Sequence, residues 1–216
     1  MNQTKSIQTK GKLSFAFVVD GQCESWYIRM LKRNEKDLNI TLNPKLPEKK
    51  KIAEQYEQVV KLLERYDKVF WIIDFDSINK ENREAKKRTK TELQVFREYY
   101  AKIKKKYTNV EVIINNPCLE YWYLLHFETT NKYFATCNDL LKPLKKHIPN
   151  YEKTQTFYTK QNNDIYLRLK PHLPQAIANA NKLQEFDFEN PQRGLSQMQF
   201  FFETDEIKRL FNHVSH

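Results

Sequence analysis

Apolar and polar residues alternate in blocks along the first part of the chain, and the blocks predict alternating strands and helices. Short apolar runs typical of strands occur at 12–19, 38–42, 69–73 and 110–114. Between them, apolar residues recur at three- and four-residue steps, as they do on one face of a helix. Strands that alternate with helices build a parallel sheet. We therefore predict an α/β fold with a parallel four-stranded sheet flanked by helices.

The pattern changes near residue 130, and the remainder of the chain predicts helices without further strands. A polar, aromatic connector is expected at 151–160. On this basis residues 1–130 form an α/β domain and 131–216 form a helical C-terminal extension packed on it, although the change of pattern need not be a domain boundary. The helices predicted in the extension span 138–147, 164–169, 174–186, 195–202 and 206–214.

The apolar run Val69–Ile73 leads directly into two aspartates, Asp74 and Asp76. Alternate residues of a strand point to the same side, so this spacing predicts that both carboxylates face one way. The carboxyl ends of the strands are where open α/β sheets bind ligands. Carboxylate oxygens suit a hard cation, so the pair predicts Mg²⁺ or Mn²⁺ binding. The alternative is a loop with two solvated aspartates that cap the next helix.

Acidic residues also follow the first and fourth predicted strands. Asp20 and Gly21 end the first strand, and Glu24 lies in the first turn of the helix that follows. Glu120 lies in the first turn of an otherwise apolar helix after the fourth strand. Strand ends of a parallel sheet meet at one edge, so these carboxylates are candidates for the same site. Alternatively, Glu24 is a plain N-terminal helix charge and Glu120 caps its own helix.

Three further expectations concern the surroundings of this site. Gly21 is expected to supply the positive φ of a tight strand-to-helix turn. Residues 77–90 are expected to form a mobile loop or helix start over the site. His126 is expected to be a structural histidine rather than a ligand.

The charge balance points to a polyanionic partner. The 216 residues carry a formal net charge of +10, which favours nucleic acid. The residues we expect to contact backbone phosphates are Lys86, Lys87, Arg88 and Lys90, and the alternative for them is a solvated charged surface. Only three glycines occur, which excludes a P-loop and a GxGxxG fingerprint.

Cysteine use and the amino terminus predict a cytoplasmic protein with no membrane segment. Cys23, Cys118 and Cys137 lie far apart without a CxxC pair, so neither a disulfide framework nor a zinc cluster is expected. A reducing cytoplasm is the simplest compartment for such a chain. Residues 1–12 lack the apolar segment of a signal peptide, and no apolar run approaches the roughly 20 residues that cross a bilayer.

Three blocks of the sequence resemble the RloB family. They are Val-Val-Asp-Gly-Gln-Cys-Glu-Ser-Trp-Tyr at 18–27, Ile-Asp-Phe-Asp at 73–76, and Asn-Asn-Pro-Cys-Leu-Glu-Tyr-Trp-Tyr-Leu-Leu-His-Phe at 115–127. Residues 176–202 are similar to the family's helical tail, and the resemblance covers about 12–203. It implies a Toprim-like fold, the metal-binding fold of topoisomerases, primases and OLD-type nucleases. It also implies a role in bacterial phage defence beside an AAA- or ABC-type ATPase partner.

The resemblance also assigns roles to the acidic residues. Asp74 and Asp76 fall on the Asp-x-Asp metal ligands of the Toprim pattern, and Glu24 and Glu120 fall on acidic positions of the family. Asp20 falls where that pattern has a glutamate before glycine. Its side chain is one methylene shorter, so Glu24, one helical turn further on, is the alternative for proton transfer.

The expectation is therefore a Mg²⁺- or Mn²⁺-dependent nuclease that hydrolyses DNA or RNA, tRNA among the candidates, in an anti-phage system. Asp74 and Asp76 would bind metal together with Asp20, either Asp20 or Glu24 would manage protons or bind a second ion, and Glu120 would complete the shell. One alternative is a non-catalytic module that binds nucleic acid or a partner protein. A weaker one is nucleotidyl transfer at a similar metal site. A homodimer is left open.

Overall fold

A computed structural model describes residues 13–36, 38, 40–42, 51–84 and 90–212. No helix within these ranges is long and apolar enough to span a membrane. The strands are β1 (Phe15–Val19), β2 (Ile40–Leu42), β3 (Lys68–Asp74), β4 (Val110–Asn116) and β5 (Leu195–Ser196). The helices are α1 (Gln22–Asn34), α2 (Ile52–Leu62), α3 (Phe75–Glu84), α4 (Glu92–Lys106), α5 (Glu120–Leu125), α6 (Cys137–His147), α7 (Gln155–Thr159), α8 (Ile165–Leu169), a 3-10 turn (Lys170–His172), α9 (Leu173–Asn181), α10 (Gln199–Phe202) and α11 (Asp205–Asn212).

The sheet has the order β2-β1-β3-β4-β5, in which the first four strands are parallel. The chain passes outward from β1 to β2 through α1, then returns past β1 to β3 through α2. The direction of winding therefore reverses between β1 and β3, the point where α/β sheets place their ligands. The predicted α/β class with a four-stranded parallel sheet is confirmed, and the arrangement is consistent with a Toprim-like fold.

Alternate strand residues separate two cores, one on each face of the sheet. Phe15 and Phe17 of β1 pack on the face covered by α1 and by the helices after residue 130. Ala16 and Val18 pack on the face covered by α2 and α4. Both faces are buried because helices cover both, which explains the continuous apolar runs in β3 and β4.

The chain after residue 130 shares the first of these cores. Phe201 packs against Phe17 and Phe70, with ring centroids 5.3 Å and 5.1 Å apart. The carboxylate of Asp164 accepts hydrogen bonds from Arg33 at 2.6 Å and from Asn34 at 3.0 Å, which ties α8 to the end of α1. The boundary near residue 130 stays a prediction.

Two elements differ from the predictions. Residues 195–202 were predicted to be one helix, but Leu195 and Ser196 form β5, antiparallel to β4. Ser196 donates a side-chain hydrogen bond to Asn115 at 2.6 Å, which fixes a strand too short to show a periodic pattern. Residues 77–84, expected as a loop or helix start, are helical as the second option had it, but their helix α3 begins earlier, at Phe75, as soon as β3 ends.

His126 lies in the core at the end of α5, with 1% of its surface exposed. Its Nδ1 is 2.8 Å from the carbonyl oxygen of Trp122, so the neutral ring donates Nδ1–H to that oxygen. Its Nε2 has no hydrogen-bond partner among the described residues. Burial lowers the pKa of His126 to about 3, and the nearby His172 acts in the same direction. The ring is therefore neutral at ordinary pH, as a structural histidine requires.

This burial should make folding stability depend on pH. Unfolded His126 takes up a proton below its ordinary pKa of about 6.5, whereas the folded ring does not until about 3. The free energy of unfolding should therefore decrease as the pH is lowered from about 6.5 to about 3, by up to about 1.4 kcal/mol per pH unit. In His126→Asn, whose amide can replace the Nδ1–H donor, this contribution should vanish. Urea denaturation of both proteins measures it, and equal pH dependence in the two would contradict the assignment.

Candidate active site

Asp74 and Asp76 reach the same site by a different route from the one predicted. β3 ends at Asp74 and α3 begins at Phe75, so Asp76 lies in the first turn of a helix rather than on the strand. The expectation that strand alternation aligns the two carboxylates is therefore wrong. The Asp76 amide donates to the carbonyl of Pro117 at 3.0 Å, and its carboxylate accepts from the Cys137 amide at 3.3 Å. These two contacts hold Asp76 in place, and its charge acts on Asp74.

Asp20 follows β1 and is oriented from within the core. The side-chain amide of Gln55, on α2, donates to its carboxylate at 3.0 Å. The indole nitrogen of Trp71, on β3, donates to the oxygen of that same Gln55 side chain at 2.8 Å. Sequence reasoning missed both residues, because a glutamine on an amphipathic helix and a tryptophan in a buried strand carry no sign of a functional role.

Gly21 is required for space rather than for positive φ. Its backbone is extended, with φ of −142° and ψ of −173°, so the predicted positive φ is wrong. A Cβ atom at this position would lie 2.8 Å from Oε2 of Glu24. The glycine thus lets the Glu24 carboxylate lie against the backbone of the turn.

Glu24 and Asp74 lie at the centre of the negative charge. Burial raises the pKa of Glu24 to about 7, and the charges of Glu120 and Asp20 add to the shift. The pKa of Asp74 lies well above its usual range. The largest cause is burial, and the smaller causes are the negative charges of Glu24, Glu120, Asp76 and Asp20. A proton on either carboxyl group would relieve the repulsion between them. The structure therefore brings all five predicted acidic residues into one electrostatic cluster.

Glu120 is the most enclosed of the five, with no exposed surface. The Tyr151 hydroxyl donates to its Oε1 at 2.6 Å, and the Lys153 ammonium lies 2.9 Å from the same oxygen. The hydroxyl of Tyr158 is 3.5 Å away. These three donors come from the segment predicted to be a connector, so the sequence did not place them at the site. The one feature of the sequence that could have indicated a packed role for this segment is its density of aromatic residues at 151–158.

Cys118 and Cys137 form a disulfide, which corrects the expectation that none is present. Their separation of 19 residues hides the pairing in the sequence, but the fold brings the β4–α5 turn to the start of α6, with the Cα atoms 5.7 Å apart. The Cys137 sulfur lies 2.9 Å from Oε2 of Glu120. Cys23 is the free cysteine of the described chain.

The donor chemistry fits a hard cation, although the predicted ligands are not tightly gathered. Among the described residues, the ligand atoms of Cys118, Glu120 and Cys137 lie within 4.8 Å of one another, whereas those of Asp20, Asp74 and Asp76 do not form such a group. The bonded sulfurs carry no thiolate, so this closer group is not a metal site as it stands. Mg²⁺ usually keeps several waters and takes one or two carboxylates, so looser carboxylates suit it.

The predicted phosphate contacts fall mostly outside what the structure describes. Lys86, Lys87 and Arg88 lie outside the described residues, and their role stays a prediction. Lys90 is exposed and forms an ion pair with Glu98 on α4. An exposed pair of this kind contributes little to stability and leaves Lys90 able to exchange partners.

A family model described as RloB-like protein matches residues 15–203, most of the chain. The chain belongs to the RloB family. The match includes β1, β3, β4 and helices α6 to α10, so every acidic residue of the cluster lies within the RloB region. Comparison with curated proteins and with solved structures gave no match.

The disulfide gives a direct test of this part of the site. If the protein is denatured without reductant, only Cys23 should react with an alkylating reagent. Closing a loop of this length stabilises a fold by about 3 kcal/mol, so reduction should lower the free energy of unfolding by roughly that amount. Mass spectrometry counts the alkylated thiols, and Cys23→Ser is the control that should show none. Three alkylated thiols in the unreduced wild type would contradict the pairing.

Proposed function

We propose that this RloB protein is a nuclease that uses Mg²⁺ or Mn²⁺ to hydrolyse phosphodiester bonds of DNA or RNA. The observation that carries the proposal is the convergence of five carboxylates at the carboxyl ends of β1, β3 and β4, where the winding of the sheet reverses. A cluster of this charge is costly to maintain unless a cation compensates it. A divalent ion is the cation that carboxylate oxygens accept most readily.

In the proposed mechanism, Asp74 and Asp76 hold the ion together with Asp20, which Gln55 orients. When bound, the ion would activate a water molecule and stabilise the departing oxygen. Glu24 lies against Asp74 and is placed to accept or pass a proton, or to bind a second ion.

We propose the class of substrate from the net charge of the chain, and the biological role from its family. The net charge of +10 favours a nucleic-acid substrate, for which Lys86, Lys87, Arg88 and Lys90 would contact backbone phosphates. The RloB resemblance supports a role in bacterial phage defence with an AAA- or ABC-type ATPase partner. tRNA is one candidate among the RNA substrates.

The decisive variant is Asp74→Asn, which keeps the shape of the side chain and removes its charge. We expect it to abolish Mn²⁺ binding measured by calorimetry and to reduce cleavage of labelled DNA and RNA by a hundredfold or more, on the order of losing one electrostatic group in an active site. Because it removes repulsion from the cluster, it should not lower the melting temperature of the metal-free protein.

Glu57→Gln, at an exposed position of α2, is the matched control and should bind Mn²⁺ like the wild type. Unchanged cleavage in Asp74→Asn would overturn the proposal. Nucleic-acid binding without metal binding or turnover in the wild type would favour the alternative of a non-catalytic binding module in the defence complex.

A further inference from the structure

One oxygen of Glu120, Oε1, is already saturated by donors of the protein, whereas Oε2 meets only a disulfide sulfur, which has no proton to donate. A carboxylate oxygen accepts about two hydrogen bonds, and Oε1 of Glu120 faces the Tyr151 hydroxyl and the Lys153 ammonium at 2.6 Å and 2.9 Å. Oε2 faces the Cys137 sulfur. A metal ion on Glu120 would have to displace Lys153 or lie next to its positive charge. The contacts therefore argue against the expected role of Glu120 in a metal shell.

Lys153 joins this buried acid to the open part of the site. Its side chain is 37% exposed, whereas that of Glu120 is 0% exposed. Its ammonium has three N–H donors, of which one is directed at Glu120 and one at the Cys137 sulfur. The same Cys137 donates its backbone amide to the Asp76 carboxylate at 3.3 Å, so a single residue separates the ammonium from the carboxylate cluster.

The backbone that carries Lys153 is firmly held. Tyr151, two residues before it, is buried against Tyr123 and Tyr158. Thr154, the next residue, caps α7 through a hydrogen bond from the Phe157 amide at 3.3 Å. A cation placed by a rigid backbone and a buried counter-ion is preorganised, which is what a group that binds developing charge requires.

We propose that Lys153 contacts the phosphate group of the substrate, and that Glu120 is a positioning residue that holds Lys153 rather than a metal ligand. This inference rests on the proposed function, because it assigns the cation that faces the phosphate at the same site. It divides the acidic residues into two groups. Asp20, Asp74 and Asp76 bind the ion, and Glu120 holds Lys153 in place.

The experiment compares Lys153→Met, Lys153→Arg and Glu120→Gln with the control Lys160→Met, which removes one exposed lysine from the same segment. Three quantities are measured in each: Mn²⁺ affinity by calorimetry, affinity for a labelled oligonucleotide by fluorescence anisotropy, and the rate of cleavage. Lys153→Met and Glu120→Gln should bind Mn²⁺ like the wild type but cleave about a hundredfold more slowly. Lys153→Arg should recover part of the rate, and Lys160→Met should retain all of it.

Lys153→Met leaves the Glu120 charge buried without its partner, which can itself destabilise the fold. The double variant Lys153→Met/Glu120→Gln removes that charge and should fold while still cleaving slowly. Loss of Mn²⁺ binding in Glu120→Gln would make Glu120 a metal ligand and overturn the inference. Equal behaviour of Lys153→Met and Lys160→Met in both binding and cleavage would also overturn it.

The two proposals fail in different ways. If the wild type does not cleave any substrate, the nuclease proposal fails, and oligonucleotide affinity still judges the role of Lys153. Lys153→Met should then weaken oligonucleotide binding more than Lys160→Met does, because only Lys153 is held at the carboxyl edge of the sheet. If the wild type cleaves and Lys153→Met cleaves equally well, only the inference about Lys153 fails.

Discussion

Repulsion among buried carboxylates is the constraint to which the rest of this structure responds. Glu24, Asp74 and Glu120 lie deep at the edge of the sheet, and each raises the energy of its neighbours' charges. The protein limits the cost in two ways. Burial and the surrounding negative charges raise the pKa of Glu24 and of Asp74, which favours their neutral forms, and Glu120 receives an ammonium and a tyrosine hydroxyl. Such an arrangement is difficult to maintain for stability alone, which supports the proposed active site.

Much of the sheet and its acidic edge could be predicted from the sequence. The strands that carry Asp20 and Asp74 are buried on both faces, so their apolar runs are long and easily recognised. The start of the first helix, Gln22–Asn34, was predicted because a glycine and a first-turn glutamate mark it. The convergence of the carboxylates followed from a general property of parallel sheets, the alignment of their carboxyl ends.

The contacts that complete the site could not be predicted, because each depends on packing between distant segments. The partners of Glu120 come from a stretch with no clear periodicity, and Cys118 meets Cys137 only after α5 and α6 have packed. Gly21 illustrates a different reason. The sequence shows a glycine in this turn, but the reason for the glycine is the nearby Glu24 carboxylate rather than its own backbone angles.

The chain of hydrogen bonds from Trp71 through Gln55 to Asp20 has a consequence for protein engineering. Trp71 has no exposed surface and would be treated as a core position, open to substitution by another large apolar side chain. Its indole nitrogen, however, fixes the amide that orients Asp20. A redesign that improved packing at Trp71 but omitted this donor would therefore remove one of the contacts that orient Asp20 through Gln55. A substitution of this buried tryptophan is therefore also a change to the geometry of the acidic site.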